Sequence, residues 1–375
     1  MTQTATFGPD LSTEQITEAL RLIGEIDEFK GHWRRVSEIR AEQLAQLRQV
    51  TTIESVASST RIEGAELTDA QVARVLSGLQ ADSFRARDQA EVRGYGDLMA
   101  IIYQSHSDLP LTENHLKQLH TALLRHSERD ERHRGEYKKL PNHVQATHPN
   151  GQIEILFHTA SPFDTPRLMT ELVSVTADAF DREIAHPLVV TARFVVELLA
   201  IHPFQDGNGR LARACTTLLL LRSGYDYVPY SSLERVVEDN KDGYYSALRE
   251  SQLAIRDNRL AFGAWLLFFL RALSVQKRSL EAKLEVERSM LRLSGLQQRI
   301  LEIITAQGRA TTSTIAKWLA VPSRTVRYNL EILVAHRLAE AHGERRGRYY
   351  TRFTGNPQEA GGGGGMREAL MEVKR

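Results

Sequence analysis

Apolar residues recur every three to four positions through most of the chain, the spacing that lines one face of an α-helix. Within residues 11–49 the series is carried by Ile16, Leu20 and Ile23, and Ser12 stands three residues before Gln15, the pairing of a capping box. Residues 92–104, 112–126 and 165–180 follow the same period. Pro187 suits the first turn of a further helix, in which Val189, Ala192, Val196 and Leu199 share a face. Residues 211–222 continue after a short loop and run into Gly224, a residue suited to a helix C-terminus.

Two segments depart from this rhythm. Between residues 135 and 162 polarity alternates, with Ile153, Ile155 and Phe157 on one side and Asn150-Gly151 as a tight turn, so a β-hairpin is expected inside a helical domain. From Gly295 three short helices are expected at 297–306, 312–319 and 324–338, followed by Gly343, Gly347 and R-R-G-R-Y-Y. That order is the layout of a winged helix-turn-helix. The expected fold class is mainly α: a helical bundle with one β-hairpin, plus a C-terminal winged helix-turn-helix. The expected division is 1–105, 106–285, 286–354 and a Gly-rich tail at 355–375 containing Gly361 to Gly365.

Composition narrows the function. The chain has 375 residues, 42% of them hydrophobic and 25% charged, which suits globular domains. Lys plus Arg number 48 against 47 Asp plus Glu, so no global polyanion partner is implied. From residue 295 to 353, however, ten Lys/Arg face four Asp/Glu, which leaves room for a DNA or protein partner there. Cys215, the single cysteine, excludes an intrachain disulfide and a Cys-based metal site. The window 261–270 is too short to cross a bilayer, and the first ten residues are polar, so a cytoplasmic protein with no membrane partner is expected. His120, His126, His133, His143, His148 and His158 show no metal-ligand spacing and are expected at the surface or in loops.

The chemistry concentrates in H-P-F-Q-D-G-N-G-R-L-A-R, residues 202–213. Gly207 and Gly209 allow a tight loop with exposed backbone N–H groups at the start of a helix, an anion site. Arg210 and Arg213, one turn apart, add guanidinium groups suited to phosphate oxygens. Asp206 is a hard ligand for Mg²⁺ held against those phosphates, and His202 is a base near neutral pH. The stretch also fits a loose G-x-G-x-x-A dinucleotide fingerprint, but the element before it reads as helix rather than strand, and no Walker A sequence is present.

These twelve residues fit every position of the motif HxFx(D/E)GNGRxxR, and the chain resembles the Fic family from about residue 30 to 285. The resemblance implies transfer of AMP from ATP, with Mg²⁺, onto a Ser, Thr or Tyr hydroxyl of a protein, including the chain itself. On that resemblance His202 deprotonates the hydroxyl, and Asp206 holds Mg²⁺. Gly207, Asn208 and Gly209 cradle the α-phosphate. Arg210 binds the phosphates, and Arg213 the γ-phosphate. The hairpin resembles the family's flap, with His143 and Val144 bordering the nucleotide. Tyr244 and Tyr245 resemble an aromatic pair near the adenine, although plain helix packing explains them equally. Homodimers are common among similar proteins.

Upstream, Ser59-Thr60-Arg61-Ile62-Glu63-Gly64 resembles the family's inhibitory motif, [S/T]xxxE[G/N]. The resemblance implies that Glu63, with Ser59 and Gly64 completing the motif, occupies Arg213 and holds transfer off. It also implies, for some relatives, a second use of that glutamate in removing AMP. Two other outcomes stay open: a relative using another nucleotide or group, and a DNA-binding regulator whose loop only senses nucleotide. His202 counts against the second, since sensing needs no base.

Overall fold

A computed structural model describes residues 10–33, 41–79, 85–147, 153–256, 261–291, 293–344 and 347–353. The chain divides into two compact units, one ending at Lys277 and the other starting at Arg278. The expected turn Asn150-Gly151, His148, Arg345, Arg346 and the Gly-rich tail lie outside the described residues.

The first unit holds α1 (Thr13–Trp33), α2 (Ala41–Ile62), α3 (Asp69–Leu76), α4 (Ala86–Ser105), α5 (Glu113–Leu123), β1 (His143–Thr147), β2 (Ile153–His158) and α6 (Thr165–Asp181). It continues with α7 (Pro187–Ile201), α8 (Asn208–Arg222), α9 (Leu233–Asp239), α10 (Lys241–Arg256) and the start of α11 (Gly263–Leu291). The Ser12–Gln15 capping box forms in both directions, at 2.9 and 3.3 Å. The face of α1 that is buried is not the expected one, however. Ala19, Leu22, Ile26 and Phe29 form the inward stripe, while Ile16 and Leu20 are exposed. Two apolar stripes lie on this helix, and the chain buries the one whose Phe29 reaches Tyr227 edge-on, at 4.9 Å.

Helices α7 and α8 pack against each other at the centre and are buried on almost every side. Apolar residues on nearly every side of α7 and the Leu218–Leu221 run of α8 are one reason, since a helix that is apolar around its circumference is stable only when surrounded. Trp265 donates its indole N–H to Ala192 O at 2.7 Å, tying α11 to α7. Cys215 lies in this core, with burial pushing its thiol up to about 12. After α8, Gly224 adopts φ +78° while Gly224 N and Tyr225 N donate to Leu221 O and Leu220 O, a glycine-terminated helix end. Strands β1 and β2 pair antiparallel, from His143 opposite His158 to Thr147 opposite Ile153, with an irregularity between Val144 and Gln145.

The second unit holds α12 (Gly295–Gln307), α13 (Thr312–Leu319), α14 (Ser323–Ala335), β3 (Ala339–His342) and β4 (Tyr349–Arg352). Its own core gathers Ile300, Ile304, Ile315, Val326, Leu330 and Leu333. β3 and β4 pair antiparallel, and Ala310 exchanges two backbone hydrogen bonds with Tyr350, at 2.9 and 2.8 Å. Among the described residues no helix is long and apolar enough to cross a membrane.

Candidate active site

The connection between α7 and α8 is built by its own side chains. Asn208, 2% exposed, accepts from Phe204 N at 2.9 Å and donates to Phe204 O at 2.7 Å, closing residues 204–208 into a ring. Its side chain is therefore spent inside the loop, and only its backbone remains for a ligand. Gly207 sits at φ +79°, a conformation that favours glycine, and a Cβ there would press on Leu123 Cδ2 at 3.1 Å. A Cβ on Gly209 would overlap Glu63 Oε1. The first amides of α8 have no carbonyl one turn back to accept them, and they face outward from a helix start.

His202 ends α7 in the left-handed region, φ +54° and ψ +59°, a conformation that costs a non-glycine residue about 1 kcal/mol or more. Its Nδ1 lies 3.3 Å from Leu199 O. A carbonyl only accepts, so Nδ1 carries the hydrogen and Nε2 keeps its lone pair. Burial, helped by the Lys138 ammonium, lowers this imidazole to about 4, so it is neutral at physiological pH. A neutral imidazole with a free Nε2 can accept a proton.

Arg210 is 2% exposed, with Nη2 3.4 Å from Asp206 Oδ1 and Nη1 3.6 Å from Glu91 Oε2. Among the described residues neither its Nε nor its Nη1 has a hydrogen-bond partner. Two buried guanidinium donors without a hydrogen-bond acceptor, beside a helix start, fit an anion's oxygens, since a buried donor left without an acceptor is costly. Asp206 accepts from Gly207 N at 2.6 Å and from Arg210, both on Oδ1, which leaves Oδ2 for a cation. Burial would raise this carboxyl, but Arg210 and the Gly207 amide hold it below the usual range. Among the described residues no group of three or more His, Cys, Asp or Glu could hold a metal. One carboxylate still fits Mg²⁺, which takes most of its ligands from phosphates and water.

The upstream motif reaches this loop. At the end of α2, Gly64 adopts φ +98°, with Gly64 N donating to Arg61 O at 3.0 Å and Ala65 N to Thr60 O at 3.1 Å. This is a Schellman ending, and it throws Glu63 off the helix as the C-cap residue. Glu63 Oε1 lies 2.8 Å from Arg213 Nη2. Ser59, buried, accepts from Arg213 Nε on Oγ and from Nη2 on its carbonyl, both at 3.0 Å. Burial would raise the Glu63 carboxyl, but Arg213 and Arg210 hold it low, so it is ionised. Ser59, Glu63 and Arg213 thus form one cluster with the loop.

The other expected residues stand as follows. His143 is exposed, its ring 4.7 Å from that of His158, and Val144 follows it on β1. Tyr244 is buried, edge-on to Trp265 at 5.7 Å and Phe268 at 5.9 Å, and lies with Arg213 on the wall of an apolar cleft. Tyr245 is half-buried against Tyr244, centroids 5.1 Å apart.

His120 overturns the expectation of a surface or loop histidine. It is fully buried and accepts from Gly135 N on Nδ1 at 2.9 Å. Its Nε2 therefore carries the hydrogen and donates to Asp206 O at 3.0 Å. Lys138 and Asn142 were also invisible to motif spacing, yet both bond the backbone of the loop. The only signal for His120 was its place on the apolar face of α5, beside Leu116, Leu119 and Leu123.

Residues 110–220, from before α5 through most of α8, match the model of the Fic/DOC family. The chain is 28% identical over 213 residues to the protein adenylyltransferase Fic of Drosophila grimshawi, covering 56% of this chain and 41% of that one. It therefore spans less than half the length of that curated relative. Among solved structures it is similar to a Fic family protein from Desulfovibrio desulfuricans G20, with 25% identity, a TM-score of 0.57 and coverage of 93% and 98%. A Fic domain containing signaling protein from Bacteroides thetaiotaomicron VPI-5482 is similar at 27% identity, with a TM-score of 0.57 and coverage of 69% and 94%.

Proposed function

We propose that this chain is a protein adenylyltransferase that moves AMP from ATP to a Ser, Thr or Tyr hydroxyl of a protein and is held off by Glu63. The observation that carries the reading is a neutral His202, with Nε2 free, in the same loop as the buried Arg210, whose Nε and Nη1 lack a hydrogen-bond acceptor among the described residues. The names of the curated relatives support AMP as the group transferred.

In this mechanism the phosphates lie along the first amides of α8, with Arg210 on their oxygens. Asp206 holds Mg²⁺, which neutralises phosphate charge when bound. His202 Nε2 takes the acceptor's proton as its oxygen bonds to the α-phosphorus and pyrophosphate leaves. The β1–β2 hairpin serves as the flap, aligning the acceptor segment by main-chain pairing along a strand edge. Tyr244 and Tyr245 stand on the adenine side of Arg213.

Glu63 opposes this arrangement. Its carboxylate occupies Arg213, the cation intended for the γ-phosphate, and adds negative charge where phosphate must lie. ATP bound against it has a misdirected α-phosphorus, and misdirection of that size abolishes transfer without abolishing affinity. Incubating Glu63→Gly with α-labelled ATP and a cell lysate, beside Glu63→Gly/His202→Ala, tests both parts. Label on protein that needs His202 and exceeds wild type is the expected result. No label, or label independent of His202, ends the reading.

The second unit is read as a winged helix, on its three helices and one hairpin, with duplex DNA as partner. Arg324, Arg327 and Tyr328 at the start of α14 are exposed, which supports that partner.

A further inference from the structure

Lys138 is 3% exposed, and its ammonium donates to three oxygens: Asn142 Oδ1 at 2.8 Å, Thr159 Oγ1 at 2.9 Å and Ile201 O at 3.0 Å. None of the three is a carboxylate, so a buried cation is held by neutral acceptors alone. Such a charge is expensive to bury, and burial lowers this ammonium to about 8. The acceptors join three parts of the site. Asn142 immediately precedes β1, Thr159 immediately follows β2, and Ile201 is the last residue of α7, whose C-terminal carbonyls favour a cation.

The knot continues into the loop. Thr159 Oγ1 donates to Asn142 O at 2.6 Å, joining the two ends of the hairpin. Asn142 Nδ2 donates to Phe204 O at 2.7 Å and lies 3.4 Å from His202 O. Lys138 N donates to Pro203 O at 2.8 Å, and Tyr137 bridges to Phe204. The carbonyls of residues 201 to 204, on both sides of the imidazole, are thus bonded to the base of the hairpin.

We infer that Lys138 is a positioning residue for the transfer: it fastens both ends of the β1–β2 hairpin to the backbone around His202, so that the strand edge and the base move as one body. The inference rests on the transfer reading for its consequence, not for its geometry. An acceptor paired along the hairpin then arrives with its hydroxyl at a set distance from Nε2. Loosening the knot displaces the acceptor from the base without touching the phosphate cradle. The ammonium also faces His202 electrostatically, together with Glu63 from the end of α2 and Asp206 from the loop.

Lys138→Met, made in the full-length Glu63→Gly chain, removes the charge and all three bonds while keeping an unbranched side chain only one heavy atom shorter. Amide hydrogen exchange within 143–147 and 153–158 is expected to quicken by about tenfold or more relative to the parent, with α7 and α8 unchanged. With α-labelled ATP and a pool of Ser-, Thr- and Tyr-containing peptides, the maximal rate is expected to fall about tenfold to a hundredfold. The calorimetric Kd for Mg-ATP should stay within about twofold, a split that a merely destabilised fold would not produce. Thr159→Val, which removes a single hydroxyl from the knot, serves where Lys138→Met fails to fold. Equal exchange in variant and parent, or ATP affinity lost in step with the rate, overturns the inference. An unlabelled parent counts against the transfer reading instead, and the exchange comparison then decides the knot by itself.

Discussion

The ring of His120 lies stacked on that of Phe204, centroids 3.8 Å apart and planes 13° from parallel. This pairing seats the motif's phenylalanine in the core and, through Nε2, holds the carbonyl of Asp206. His120→Ala deletes the stack, opens a void and strands Gly135 N. Folding stability is expected to drop by about 2–4 kcal/mol in urea titration. A loss under about 0.5 kcal/mol would contradict a structural role for the ring.

The same ring should make the protein sensitive to mild acid. Burial lowers His120 to about 4, against an ordinary value of 6.5. Between those values the unfolded chain binds the proton and the folded one does not. Stability is therefore complete above about pH 6.5 and falls as pH drops toward 4, by up to about 3 kcal/mol from this group. His120→Phe keeps an aromatic stack without the titration. Its urea midpoint should vary less between pH 7 and pH 4.5 than that of wild type.

His202 carries a kinetic counterpart. With its imidazole at about 4 in the free protein, the acid limb of a rate–pH profile for Glu63→Gly should fall well below pH 6.5. Labelling that is level from pH 6 to 8 is expected. A limb centred near 6.5 would mean that the ring is solvated during turnover.

Arg61 is the anchor behind Glu63. It bonds both oxygens of Glu238, at 2.5 and 2.9 Å, with further bonds to Asp69 Oδ1 at 2.9 Å and Leu67 O at 2.8 Å. Arg61→Ala should free the end of α2 and raise labelling several-fold with Glu63 intact. Activity unchanged from wild type would show that the Glu63–Arg213 contact holds the switch without this anchor.

Arg324 and Arg327 offer a separate test in the second unit. Gel shift of a duplex by the full-length chain should weaken steeply as salt rises, and Arg324→Glu/Arg327→Glu should abolish it. No shift at low salt excludes DNA.

Local patterns carried the helices well. The turns at Ser12, Thr112 and Gly224 lie where their residue types place them, because caps and periodicity depend on neighbours within one or two turns. Periodicity was weaker on orientation. Helix α1 offers two apolar stripes, and only the packing of Phe29 on Tyr227 selects between them.

What the sequence determined by itself was the loop at 202–213, because its chemistry is contiguous: a base, a carboxylate, two glycines and two arginines within twelve residues. Its supports are not contiguous, and only the tertiary structure decided them. His120 meets Asp206 across 86 positions and Lys138 meets Ile201 across 63. Each of those contacts forms because burial removes water from a polar group and obliges it to find a partner among whatever the packed chain brings near. No spacing along the chain encodes that encounter, so the reagents could be read in order while the framework that aims them could not.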